Sequence, residues 1–103
     1  MTVPFIDLAR RYRKFEPELL DVVRRVTASG RVLLGDELDR LEHELAEALG
    51  VAHVVVVASG ASAIELSLVA CGVRPGDEVI VPAHTAVPTA SAVCAVGAVP
   101  VPV

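Results

Sequence analysis

The stretch 54-VVVVASGASAIELSL-68 decides the fold. Its valines do not alternate with polar residues, so His53–Ala58 reads as a strand buried on both faces. After Ser59-Gly60-Ala61-Ser62 the rhythm becomes helical, from about Ala61 to Cys71, with Gly72 as the stop. The turn Arg74-Pro75-Gly76-Asp77 follows, then a second strand over Glu78–Pro82. Thr85 is placed to cap another helix, with Pro88 inside its first turn and Gly97 ending it near Val96. A third strand, Val99–Val103, closes the series. Strand–helix–strand–helix–strand implies a parallel sheet with right-handed crossovers, and so the α/β class.

Two helices lead into this unit. Residues 1–14 read as an irregular, partly extended arm, and a first helix spans about Glu16–Ser29. Pro17 suits its first turn, where a missing N–H costs nothing, and Gly30 suits its end. Leu19, Leu20, Val23 and Val26 form its apolar stripe. The second helix is capped by Asp36 and ended by Gly50, with Leu38, Leu41, Leu45 and Leu49 along one face. Glu42, His43, Glu44 and Glu47 turn away, which makes His43 a solvated residue rather than a ligand. The chain divides into 1–52, an arm and two helices, and 53–103, the start of an α/β domain. That domain stops inside an apolar strand without a turn or polar tail, so the sequence reads as the first part of something longer.

Composition narrows the function classes. Hydrophobic residues make up 53% of the 103 and the net charge is −4, which excludes a disordered tail and argues against a nucleic-acid surface. The basic cluster Arg10, Arg11, Arg13, Lys14 is a solvated helix face. Cys71 and Cys94 lie far apart on apolar helical patterns, without C-x-x-C or a nearby histidine pair. They read as buried thiols, with no disulfide framework and no metal site. Val79–Val103 carries no formal charge, but Pro82, Pro88, Pro100 and Pro102 with His84, Thr85, Thr89 and Ser91 disqualify it as a membrane span. The start, MTVPFIDLARR, is not a signal peptide, and a cytoplasmic location is the default.

Chemistry concentrates at two loops. At Ser59-Gly60-Ala61-Ser62, Gly60 permits a sharp turn and close approach of a ligand. The amides of Ala61, Ser62 and Ala63 open a helix N-terminus, where an anion is favoured. On local physics alone, Ser59 as a plain cap is an equal alternative. The turn is neither a P-loop, lacking G-K-[ST], nor a G-x-G-x-x-G fingerprint, and a small nucleotide-binding domain is disfavoured accordingly. The second loop, Pro82-Ala83-His84-Thr85-Ala86-Val87-Pro88-Thr89, leaves the same end of a parallel sheet. His84 there serves as a base, a stacking ring or an ordinary loop residue. A serine-hydrolase reading fails for want of G-x-S-x-G and of an acid after His84.

The order PFIDL (4–8), SGRVLLGDELDRLEHELAEALGV (29–51), ASGASAIELSL (58–68), GVRPGDEVIVPAHTAVPTASAV (72–93) and GAVPVPV (97–103) resembles the start of the DegT/DnrJ/StrS sugar aminotransferases. The resemblance covers nearly the whole chain. It implies pyridoxal phosphate as cofactor and the N-terminal portion of the type I aminotransferase large domain, a mostly parallel three-layer sandwich, here incomplete. It implies that Gly60, Ala61 and Ser62 bind the cofactor phosphate, with Ser62 supplying the hydroxyl or the amides acting alone, because Ala61 stands where the family often has threonine. Ala86 takes the place of an aromatic residue that stacks on the cofactor ring, and His84 and Thr85 belong to the same active-site loop. The resemblance further implies an amino-acid donor, typically glutamate, a nucleotide-linked keto sugar as acceptor, and a homodimer. The family's Schiff-base lysine lies beyond this sequence, whose lysine is Lys14, so the chain alone is expected to be inactive. A related sugar dehydratase, with histidine for that lysine, is an alternative. So is a non-catalytic module whose exposed strand pairs with a partner. In the family fold the first strand lies far from the second and third, so Val54–Val57 is expected to have no neighbour here.

Overall fold

The structure, a computed structural model, describes residues 4–103. The element order is α1 (Leu8–Ser29), α2 (Asp36–Leu49), α3 (Gly60–Ala70), β1 (Glu78–Val81), α4 (Val87–Ala95) and β2 (Val99–Pro102). The backbone falls into two compact units, one ending at Val54 and the other spanning Val55–Val103.

In the first unit α1 begins earlier than the sequence suggests. Asp7 is its N-cap and its side chain accepts the Arg10 amide at 2.8 Å, so the expected arm is helical from Leu8 onward. Residues 1–3 of that arm lie outside the described residues. Pro17 therefore sits in the helix interior, not the first turn, and leaves the Arg13 carbonyl without its usual amide donor. Gly30, at φ 70°, ends the helix as expected. Arg10, Arg11, Arg13 and Lys14 are all exposed on α1, and the Lys14 ammonium lies 5.4 Å from the Phe15 ring centroid.

The cap of α2 also differs. Gly35 is the N-cap, and a Cβ there would meet the Arg31 carbonyl oxygen at 2.6 Å, so a larger residue cannot take its place without a shift. Asp36 is displaced into the first turn, where it pairs with Arg31 at 2.7 Å and adds its charge to the positive end of the helix. Arg25 of α1 pairs with Glu37 of α2. Arg40 and Glu44 pair at 2.7 Å, and His43 is exposed.

The second unit contains the expected α/β alternation with one strand missing. β1 and β2 pair in parallel, Glu78 opposite Val99 through Val81 opposite Pro102, with α4 as the crossover. The expected strand His53–Ala58 is not a strand: the sheet is two-stranded, and Val55 is 78% exposed. A run of valines expresses a preference for burial, but burial alone does not make a strand, and among the described residues the sheet is made of β1 and β2. α3 and α4 pack together, and α4 covers one face of the sheet. The core is Val81, Val93 and Ala98, with Leu68, Val73, Val79 and Val96 packed around it. Along β1 the side chains alternate, Val81 buried and Ile80 71% exposed, so only one face is covered.

Candidate functional site

Ser59 stands in extended conformation before α3, and its hydroxyl accepts the Ser62 amide at 3.1 Å. Its carbonyl accepts the Ala63 amide at 3.0 Å, and its hydroxyl lies 3.0 Å from that of Ser62. The amides expected to be open are therefore only partly so: Ser62 and Ala63 are engaged, while Gly60 and Ala61 have no acceptor among the described residues. Ser59 is a cap and the turn still has donors to spare. Gly60 does not adopt the left-handed conformation, and nothing lies within 4 Å of where its Cβ would be. The turn itself does not require glycine there, and the space above the backbone is open.

The second loop leads from β1 into α4. Thr85 is not the cap: Ala86 holds that position, extended at φ −69° and ψ 141°, without a side-chain bond to the helix. The Thr85 hydroxyl instead lies 2.9 Å from that of Thr89, a pairing one turn along that competes with capping. The Thr-x-x-x-Thr spacing within the second loop is the sequence signal for this pair. Pro88 lies in the first turn as expected. His84, Thr85 and Ala86 are exposed.

Topology orients the two loops. A helix joining two parallel strands runs against them, so α4 starts at the carboxyl end of the sheet and finishes at the opposite end. The segment after α3 comes to that opposite end too, since the Gly76 amide donates to the Gly97 carbonyl at 2.9 Å. α3 and α4, packed together, thus direct their N-termini toward the carboxyl end of the strands, where open α/β sheets bind ligands. Ser59–Ser62 and His84–Ala86 share that end.

Other candidates fall away from it. Cys71 and Cys94 are exposed, not buried, because one side of each helix is uncovered. Cys71 borders a shallow apolar depression on α3 with Ala63, Ile64, Ser67 and Leu68, to one side of the helix N-terminus. Among the described residues no group of histidine, cysteine or carboxylate side chains could hold a metal, and no helix is long and apolar enough to cross a membrane.

The chain matches known proteins over this whole architecture. It is 50% identical over 103 residues to the erythromycin biosynthesis sensory transduction protein EryC1 of Saccharopolyspora erythraea, covering all of this chain and 28% of the relative. It is 48% identical over 101 residues to a dTDP-3-amino-3,4,6-trideoxy-alpha-D-glucose transaminase of Streptomyces venezuelae, covering 98% and 27%. The crystal structure of S. venezuelae DesV in complex with a ketimine intermediate superposes with a TM-score of 0.93 at 48% identity, over 98% of this chain and 27% of that one. NtdA of Bacillus subtilis, solved with bound cofactor PMP, gives 0.91 at 35% identity over 97% and 23%. The chain thus spans about a quarter of the length of these relatives, and its fold is a portion of the aminotransferase fold they share. The family model for DegT/DnrJ/EryC1/StrS aminotransferases matches residues 14–103, and the chain belongs to that family.

Proposed function

We propose that the Ser59–Ser62 turn holds the phosphate of pyridoxal phosphate, and that the chain contributes this half-site to an enzyme that moves an amino group onto a keto group of a nucleotide-linked sugar. The donor is an amino acid, typically glutamate. The observation that carries the reading is Gly60: neither its φ nor any neighbour requires glycine, while its amide and that of Ala61 lack acceptors at a helix N-terminus.

The residues fit a phosphate in a definite way. Gly60 and Ala61 donate their amides, and the absence of a side chain at 60 lets an oxygen come close. Ser62 turns its hydroxyl from Ser59 to the phosphate, while Ser59 remains the cap of the Ser62 amide. Ala86 presents a methyl group under the ring and no π face, so any stacking falls to another group, with the His84 imidazole and Thr85 in the adjoining loop. When bound, the cofactor supplies an electron sink for the carbon that loses a proton during amino transfer. Lys14 is exposed on α1 and is not assigned the covalent link, so the chain alone gives no turnover. The complete enzyme is a cytoplasmic homodimer with sites near the subunit interface.

The test is a titration of the purified chain with pyridoxal phosphate, pyridoxal and inorganic phosphate, followed by amide NMR shifts and borohydride trapping. Gly60 and Ala61 shift with the two phosphate-bearing ligands and not with pyridoxal, and borohydride fixes no adduct at Lys14. Unmoved amides at 60 and 61, or a stable Lys14 adduct, would overturn the assignment.

A further inference from the structure

His84 stands apart from the other side chains at the carboxyl end of the sheet. In the unit spanning Val55–Val103 it is the one aromatic side chain, since Phe5, Tyr12, Phe15 and His53 all precede Val55. Its imidazole is exposed and makes no hydrogen bond, ion pair or ring contact among the described residues. The loop that carries it is nevertheless well held. Pro82 and Pro88 fix φ at its two ends. The Ala83 amide donates to the Val103 carbonyl at 2.8 Å, the Thr89 amide donates to the Ala86 carbonyl at 3.0 Å, and the Thr85 hydroxyl is tied to that of Thr89. An unpartnered ring on a held backbone loses little freedom when a ligand meets it. α3 and α4 pack together, which sets their axes about 8–10 Å apart. A ring joined through a methylene and an ester oxygen to a phosphate on the Ser59–Ser62 turn is of the size to reach the His84 loop.

We propose that the His84 imidazole lies against the face of the cofactor's pyridine ring. The assignment rests on the phosphate reading of the Ser59–Ser62 turn and names the side chain that meets the other end of the same ligand. Two flat π systems gain from offset contact beyond the area they bury. Ala86, two residues on, has only a methyl group, which leaves the loop's aromatic contact to His84. The same surroundings argue against His84 as a proton carrier. An imidazole that works as a base is oriented by a bond at its second nitrogen, which also fixes the tautomer. His84 has no such partner among the described residues, and a face contact needs none.

Aromatic and amide NMR of the full chain, titrated with deoxypyridoxine phosphate and with inorganic phosphate, tests it. The first ligand has the ring and the phosphate but no aldehyde, so no adduct at Lys14 intervenes. The His84 ring protons move upfield with deoxypyridoxine phosphate and stay in place with inorganic phosphate, while the Gly60 and Ala61 amides move with both. These shifts are read on the unaltered chain and need no variant to fold. His84→Ala weakens deoxypyridoxine phosphate by about 2–10-fold, the worth of one aromatic pair, and leaves inorganic phosphate unchanged. His84→Phe restores the affinity, because a face contact asks for a ring and not for a nitrogen. Moving amides at 60 and 61 beside an unmoved His84 ring, an unweakened His84→Ala, or a His84→Phe as weak as His84→Ala would overturn the proposal and leave the phosphate site standing. Unmoved amides would remove the phosphate site and the proposal with it.

Discussion

Gly97→Ala separates backbone strain from steric contact at one position. Gly97 follows α4 at φ +79°, a conformation in which an L-residue costs about 1–2 kcal/mol. A Cβ there would lie 3.0 Å from the Pro75 Cβ, 3.1 Å from its Cγ and 3.3 Å from its Cα, closer than side chains ordinarily pack. Pro75 cannot easily retreat. Its neighbour Gly76 is bonded to the Gly97 carbonyl at 2.9 Å, and the Asp77 carboxylate holds the Arg74 amide at 2.8 Å across the turn. The contact adds about 1 kcal/mol or more of overpacking to the backbone cost. Gly72 is the internal control. It follows α3 at φ +82° with nothing within 4 Å of its Cβ position, so Gly72→Ala carries the backbone cost alone.

Urea unfolding followed by far-ultraviolet circular dichroism reads both variants, compared at constant m-value. Gly72→Ala loses about 1–2 kcal/mol and Gly97→Ala about 2–3 kcal/mol. Pro75→Gly removes the opposing Cβ and Cγ. In a double-mutant cycle its coupling to Gly97→Ala recovers about 1 kcal/mol, the contact component. Equal losses at 72 and 97, or no coupling to Pro75, would show that the turn yields freely and that the packing of Pro75 on the end of α4 contributes nothing.

Ser59→Ala removes the cap of the Ser62 amide and costs about 1 kcal/mol of stability, whereas Ser59→Gly costs only a few tenths. Under the proposed function both variants keep the Gly60 and Ala61 amide shifts with pyridoxal phosphate, and loss of those shifts in a folded variant would make Ser59 a ligand rather than a cap. Tyr12 is the sequence's one tyrosine, and its phenol titrates above the ordinary 10.0 because it donates to Glu16 at 3.1 Å, with smaller contributions from burial and the Glu16 charge. The bond belongs to the neutral phenol, so it is complete below that ordinary value and is lost as pH rises through the raised one. Phenolate absorbance checks this: Glu16→Ala moves the midpoint down toward 10.0, and an unmoved midpoint contradicts the cause.

What the sequence revealed depended on whether its signals were local. Gly72, Pro75-Gly76 and Gly97 punctuate the chain where α3, β1, α4 and β2 begin and end, because each turn is satisfied by its own residues. The start of α1 was missed because Pro17 resembles an N-terminal residue, while Asp7, the actual cap, precedes a basic run without apolar rhythm. The Ser59–Ser62 turn does open α3, but the Ser62 and Ala63 amides there are engaged rather than free. Whether the Ser62 amide is free depends on the rotamer of Ser59, which composition does not encode. His53–Ala58 forms no strand for the opposite reason: its valines are apolar enough, but pairing is a property of the sheet order, which the resemblance already implied would set Val54–Val57 apart from β1 and β2.

The same distinction explains why so much apolar surface stands open. α3 is apolar nearly all round, with Leu66 54% and Val69 58% exposed while Leu68 packs on the core. A helix of that pattern belongs between layers, not on a surface. β1 makes the matching demand from the other side, with Val81 covered and Ile80 bare. In a three-layer α/β sandwich both demands are met, because helices lie on both faces of the sheet. Here one face of a two-stranded sheet is covered, and the uncovered residues are those that a second helical layer or a further strand would meet. The exposure of Val55, Ile80 and Leu66 is that of a sequence patterned for a three-layer sandwich whose sheet, among the described residues, is covered on one face.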